Sequence, residues 1–181
     1  MLKEKIKGAI ELVPDFPKKG ILFRDITPVF GDADLFREVQ VELITRITMQ
    51  MNDWNAKSRI ILSPEARGFI VGASVCAWSI AGFVPARKAG KLPGSVDVAN
   101  YDLEYGKNSL SVHMDSIKAT DCVAVVDDIL ATGGTAGACV EIARRQRGKV
   151  VGCFFIGEIK DLGGREKLEA MDVRVESLVM L

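Results

Sequence analysis

The chain has 181 residues, 48% of them hydrophobic and 27% charged, a size and balance suited to a single domain, residues 1–181, with a sizeable core. Its 24 Lys and Arg residues match its 24 Asp and Glu residues, which excludes a global field recruiting nucleic acid or an anionic membrane. No basic-then-apolar leader pattern opens the sequence and no apolar stretch reaches membrane-spanning length. The cysteines (Cys76, Cys122, Cys139, Cys153) lack metal-ligand spacing and read as reduced core thiols, so the expected setting is cytoplasmic.

Leu2, Ile6, Ala9, Ile10 and Val13 follow helical spacing, which predicts an amphipathic helix ending before Pro14. Phe16 to Phe30 is rich in proline and glycine and predicts an ordered loop with a short strand near Ile21–Phe23. A long helix follows from about Asp34, its apolar face made by Phe36, Val39, Leu43, Ile44 and Ile47. Arg59–Leu62 reads as a strand, Gly68–Ala81 as a helix and Phe83–Pro85 as a strand. Lys88 to Gly106 has scattered Gly, Pro and Asp with little periodicity and predicts a long loop, which in a compact domain is usually functional. Leu110 and Val112 alternate with Ser109, Ser111 and His113, predicting a half-exposed strand; His113 reads as structural. Val150–Ile156, Arg165–Ala170 and Val173–Leu178 predict strand, short helix and strand. Strands alternating with helices imply an α/β fold with a mainly parallel sheet flanked by helices.

The most informative stretch is Val123-Ala-Val-Val-Asp-Asp-Ile-Leu-Ala-Thr-Gly-Gly-Thr135. The β-branched run Val123–Val126 lacks alternation and predicts a strand buried on both faces. Asp127 and Asp128 then fall at its carboxyl end, where open α/β sheets place their ligands. Ala131, Thr132, Gly133, Gly134 and Thr135 can wrap N–H groups and hydroxyls around an anion, with the positive end of a helix starting near Thr135 aimed at the same point. Carboxylates beside a bare phosphate would repel it. A sugar phosphate satisfies the pattern, its phosphate in the glycine turn and its ribose hydroxyls donating to the two aspartates. The turn is neither a Walker A loop nor GxGxxG. A lone Gly-Gly would be no more than a strand-to-helix turn; the aspartates and threonines in register argue for a ligand.

Two further clusters stand out. Glu65-Ala66-Arg67-Gly occupies another strand-to-helix turn, where Arg67 could clamp phosphate oxygens in a fork, although alone it reads as a solvated arginine. Arg87, Lys88 and Lys91 form a basic cluster after a strand, able to stabilise an anionic group or simply to be solvated.

At these residues the chain resembles a known family. Val125–Thr135 resembles the phosphoribosyl-pyrophosphate signature of the type I phosphoribosyltransferases. Pro14–Pro28, Glu65–Phe69, Arg87–Gly94 and Tyr101–Lys107 narrow the resemblance to the branch acting on adenine. The resemblance runs from about Ile6 to the C-terminus. It implies the type I phosphoribosyltransferase fold, with a small N-terminal hood over about residues 1–30 and a mobile active-site loop over about 88–107. The implied reaction moves 5-phosphoribosyl from 5-phospho-α-D-ribose 1-diphosphate (PRPP) to N9 of adenine, giving AMP and diphosphate.

The resemblance also implies roles. Glu65, Ala66, Arg67, Arg87, Lys88 and Lys91 would bind pyrophosphate, with a cis Glu65–Ala66 peptide; where the family usually has glycine, this chain has Ser63 before Pro64. Glu104 would exchange a proton with the purine as the closed loop excludes water, and Tyr105 would help order that loop. Leu22, Phe23 and Arg24, with Ile159 opposite, would form the adenine pocket; without the resemblance, Leu22, Phe23 and Ile159 read as core. Mg²⁺ would be held mainly by PRPP and diphosphate, with no site made by the protein alone, and the enzyme would be a homodimer. Asp161-Leu-Gly-Gly-Arg-Glu-Lys167 reads as a turn and helix start at the site rim or a subunit contact. Two alternatives stay open: the same transfer to hypoxanthine, guanine or xanthine, and a regulator that binds PRPP to control nucleic acid.

Overall fold

The run Val123–Val126 lies in the interior of a seven-stranded sheet, and its neighbours explain its composition. The computed structural model describes residues 1–51, 58–103 and 106–181. A small antiparallel pair, β1 (Glu11–Pro14) and β2 (Leu22–Asp25), stands apart from the main sheet. The main strands are β3 (Ser58–Pro64), β4 (Gly82–Lys88), β5 (Val96–Leu103), β6 (Gly106–His113), β7 (Asp121–Leu130), β8 (Lys149–Glu158) and β9 (Val175–Met180). Their spatial order is β5-β6-β4-β3-β7-β8-β9. The five strands β4-β3-β7-β8-β9 are parallel, and β5 and β6 add an antiparallel hairpin at one edge.

The helices are α1 (Leu2–Ala9), α2 (Thr27–Gly31), α3 (Ala33–Gln50), α4 (Arg67–Trp78), α5 (Gly134–Arg145) and α6 (Gly164–Glu169). Helices α1 to α4 cover one face of the sheet, where Ile6, Val39, Leu43 and Val71 pack with Ala124, Val126, Phe154 and Ile156. Helices α5 and α6 cover the other, where Cys139, Val140, Ile142 and Leu168 pack with Val123, Val125 and Phe155. Successive β7 side chains therefore enter two different cores, so a polar alternation would leave polar groups in one of them. Adjacent Phe154 and Phe155 split the same way, each burial contributing roughly 1.5–3 kcal/mol.

Three expectations need correction. The first helix stops at Ala9, and Glu11–Pro14 is a strand paired with β2; Pro14 disfavours a helical Val13, and the partner strand takes up the backbone groups. The loop expected over 88–107 contains β5, whose register with β6 runs from Val96↔His113 to Leu103↔Gly106. Strand β7 does not end at Val126 but runs through both aspartates to Leu130, because β8 keeps pairing alongside it to Glu158. Among the described residues, no helix is long and apolar enough to cross a membrane.

Candidate active site

The carboxyl edge of the parallel sheet carries two adjoining cavities. The first, of about 110 Å³, lies where β7 passes into α5 and is lined by Asp127 and by Ala131, Thr132, Gly133, Gly134 and Thr135. Gly133 sits at φ 74°, a left-handed conformation that favours glycine, and it starts α5 with no side-chain cap on the helix. The first-turn N–H groups of α5 thus face the cavity without a side-chain acceptor, as an anion site requires. A Cβ on Gly133 would come within 2.8 Å of the Gly164 carbonyl oxygen, so the turn is also pressed against the start of α6.

The second cavity, of about 410 Å³, is lined by Leu22, Phe23 and Arg24 from β2, by Arg67, and by Ile159, Asp161 and Leu162 beyond β8. Ile129 and Ala131 line both cavities, so one short piece of chain is the wall between them. Leu22, Phe23 and Arg24 are far from Ile159 in the chain, and all four line this one cavity. Gly20, Ile21, Asp161 and Leu162 also face this space. Gly20 and Ile21 were not expected there, whereas Asp161 and Leu162 belong to the turn that the sequence placed at the site rim or a subunit contact.

Arg67 lines the second cavity and reaches across to β7. Its Nε lies 2.7 Å from Asp128 Oδ2, and its guanidinium carbon is 5.6 Å from the Phe23 ring centroid. That Asp128 oxygen has a cation beside it but accepts no well-aligned hydrogen bond. Asp128 is 2% exposed, while Asp127 is half-buried and bonds back to the Asp128 N–H at 2.9 Å. Burial first, and then the Asp128 charge, push the Asp127 carboxyl well above its ordinary range. Burial also pushes Asp128 up, opposed by Arg67. Gly68 lets α4 approach this strand: a Cβ there would meet Asp127 Oδ1 at 2.7 Å.

The turn between β3 and α4 has a cis Glu65–Ala66 peptide, as expected. Ser63 does not disturb it. Its buried hydroxyl fits against Gly72 of α4, where any Cβ would collide with it. Glu65 accepts a hydrogen bond from Arg87 Nε, and its N–H donates to the Ala86 carbonyl at 2.9 Å. Burial raises the Glu65 carboxyl, but the bonds from Arg87 and from the Lys88 backbone outweigh it and leave it below its ordinary range. Lys88, Lys91 and Ala66 are exposed and line neither cavity. Arg67 faces Asp128 and Phe23, and Arg87 faces Glu65. Glu104 and Tyr105 lie outside the described residues. On β5, the half-buried Tyr101 places its hydroxyl beside the Thr135 and Asn108 side chains, a link between hairpin and cradle that the sequence did not signal.

Comparison with known proteins places these features in a family. No family model matches the chain. An adenine phosphoribosyltransferase of Synechococcus sp. (strain RCC307) is 44% identical over 178 residues, 98% of this chain and 97% of that protein. The chain belongs to the adenine phosphoribosyltransferase family. The crystal structure of the family member from Rhodothermus marinus superposes with a TM-score of 0.89 at 41% identity, covering 99% of this chain and 98% of that one. The member from Saccharomyces cerevisiae, solved with adenine and an imino-altritol bisphosphate, superposes at 0.86 with 34% identity, 98% of each chain being covered. The type I phosphoribosyltransferase fold expected from the sequence is the fold observed.

Proposed function

We propose that the protein transfers the 5-phosphoribosyl group of PRPP to N9 of adenine, releasing diphosphate and forming AMP, a purine-salvage reaction. The observation that carries this reading is the common wall of Ile129 and Ala131 between an anion cradle and a larger, partly apolar slot. A ribose spanning that wall joins a phosphate on one side to a purine on the other.

Residues Ala131 to Thr135 take the 5′-phosphate on backbone N–H groups and hydroxyls. Asp127 and Asp128 accept the ribose hydroxyls on their carboxyl oxygens, more strongly when ionised. Arg67 then shifts from Asp128 toward the diphosphate, joined by Glu65–Ala66, Arg87, Lys88 and Lys91 as a cationic exit. Adenine lies on Phe23 between Leu22 and Ile159, its edge read by the backbone near Arg24. The bond from C1′ to diphosphate oxygen breaks as the bond to N9 forms, and the ring N–H proton leaves, with Glu104 the acceptor and Tyr105 ordering the loop over it. The protein's part is orientation, exclusion of water and charge stabilisation.

Mg²⁺ fits this donor set as an ion carried by the substrate. The two adjacent carboxylates belong to one strand and Asp128 already faces Arg67, so diphosphate oxygens would supply most of the coordination. When bound, the ion neutralises the leaving diphosphate.

A cytoplasmic setting is supported by cysteines that form no disulfide, with Cys122, Cys139 and Cys153 buried; burial pushes the Cys76 thiol up to about 11, which keeps it protonated and unreactive. A homodimer is supported by the exposed apolar face of α4, where Ile70, Ala73, Ala77 and Trp78 share one side and Ile80 follows, with Trp78 72% and Ile80 91% exposed. Trp78→Glu should convert a dimer to a monomer by light scattering; a monomeric parent would remove the dimer.

Diphosphate release measured with PRPP, Mg²⁺ and each of adenine, hypoxanthine, guanine and xanthine tests the reaction. Release with adenine alone is expected. Release with another base would keep the donor cradle and discard the pocket assignment; tight PRPP binding with no release would favour a regulator.

A further inference from the structure

Glu158 is the last residue of β8 and only 3% exposed. Arg165, in the first turn of α6, grips it in a fork: Nε donates to Oε1 at 2.9 Å and Nη2 to Oε2 at 2.6 Å. Ser177 of β9 donates to the same Oε2 at 2.8 Å, and Arg165 Nη1 donates to the Val175 carbonyl at 2.9 Å. The pair therefore closes the base of the turn 159–164 and ties it to the neighbouring strand.

What this turn carries lies on both sides of the site. Ile159, Asp161 and Leu162 line the purine-sized cavity. Gly164 is pressed against the cradle, where an added Cβ would collide with the Ala131 carbonyl and stand 3.0 Å from the Gly133 nitrogen. The Ile159 N–H donates to the Leu130 carbonyl at 2.9 Å, holding the turn level with the shared wall. A displacement of the turn moves the pocket side and the cradle together.

We propose that Glu158 and Arg165 are a positioning pair that sets the adenine and PRPP subsites jointly through the turn 159–164. The inference rests on the reaction proposed above and goes beyond it by assigning a job to residues that touch neither substrate. A buried ion pair is weak evidence for stability as such, because desolvation offsets its attraction. Its two-pronged geometry does fix direction, and sub-ångström placement is what substrate binding and transfer are sensitive to.

The test uses the full chain, with the parent assayed first for AMP formation. Arg165→Lys keeps the charge and loses the fork. Gly164→Ala leaves the ion pair and pushes the turn off the cradle. Both variants should fold by circular dichroism and raise KM for adenine and for PRPP together, by about fivefold to twentyfold, with kcat within about threefold. Lowered melting temperatures with both KM values unchanged would overturn the inference and leave the pair a structural brace. A rise in one KM alone would overturn the joint setting. A parent that forms no AMP would refute the reaction itself, an outcome distinct from variants that behave like an active parent.

Discussion

The turn after β7 and the turn after β3 stand on neighbouring strands of one sheet edge, yet one is made of backbone and the other of side chains. The β7 turn presents N–H groups and hydroxyls at an uncapped helix start and holds no cation of its own. The β3 turn presents Arg67 and, through Glu65, Arg87. Their carboxylates are tuned in opposite directions, Asp127 upward and Glu65 downward. An anion that stays bound throughout a reaction is well served by fixed dipoles. One that must depart is better served by side chains that can move with it and let go.

The largest expected effect comes from breaking the backbone turn. Gly133→Ala forces an alanine into a left-handed conformation and against the Gly164 carbonyl, and should lower kcat/KM for PRPP by about 100-fold. Steady-state kinetics checks it, and near-parental activity would mean that the cradle tolerates rearrangement.

Asp128→Ala should come next, weakening PRPP use by about tenfold or more while the protein stays folded, because no partner is left with an unanswered buried charge; Arg67 is half-exposed and can turn to water. Unchanged turnover would remove the ribose role. The smallest effect belongs to the exposed end of the cationic turn, where Lys91→Ala should raise KM for PRPP only about twofold to fivefold, with the loss shrinking at high salt.

Stability against pH separates the turns without any substrate. Asp127 has a folded-state pKa above its unfolded value, so its contribution is fully present below the ordinary aspartate range and is lost as pH rises through the raised value. Asp127→Asn should therefore melt at a higher temperature than the parent at pH 7, with the gap closing on acidification, while losing activity. Glu65 has the reverse sign: its contribution is present above the ordinary glutamate range and lost as pH falls through its depressed value. Glu65→Gln should be the less stable variant at pH 7. Melting curves from pH 4 to 8 in which both variants shift alike would erase the contrast.

The parts of this architecture that could be read from the sequence are those whose cause is local. Val123–Thr135 declares its strand, its carboxylates and its turn within one stretch, because burial on both faces and a helix start each leave a mark on adjacent residues. Strand β5 left no such mark. Ala99 is buried, but Asp97 beside it is polar because it pairs across to Arg145 at 2.7 Å. Strand β1 was hidden by apolar residues at helical spacing, and only its pairing with β2 decides the outcome. The Arg67–Asp128 contact and the meeting of Phe23 with Ile159 around one cavity depend on crossovers that bring remote segments together, and the Glu158–Arg165 fork depends on the path of a short turn; residue spacing encodes neither.

The bare start of α5 has a thermodynamic consequence. A helix whose first N–H groups lack a side-chain acceptor is an unfinished fold, and a phosphate bound as proposed would supply the missing cap. Ligand occupancy and folding then become one equilibrium, and at a free concentration of 100 times Kd a phosphorylated ribose adds about 2.7 kcal/mol to the native state. Ribose 5-phosphate should raise the melting temperature and slow hydrogen exchange at the amides of Gly134 to Gly137, whereas adenine alone should leave those amides as they were. In a cell, the amount of folded protein would then track the supply of the sugar phosphate, making the substrate a folding partner as well as a reactant.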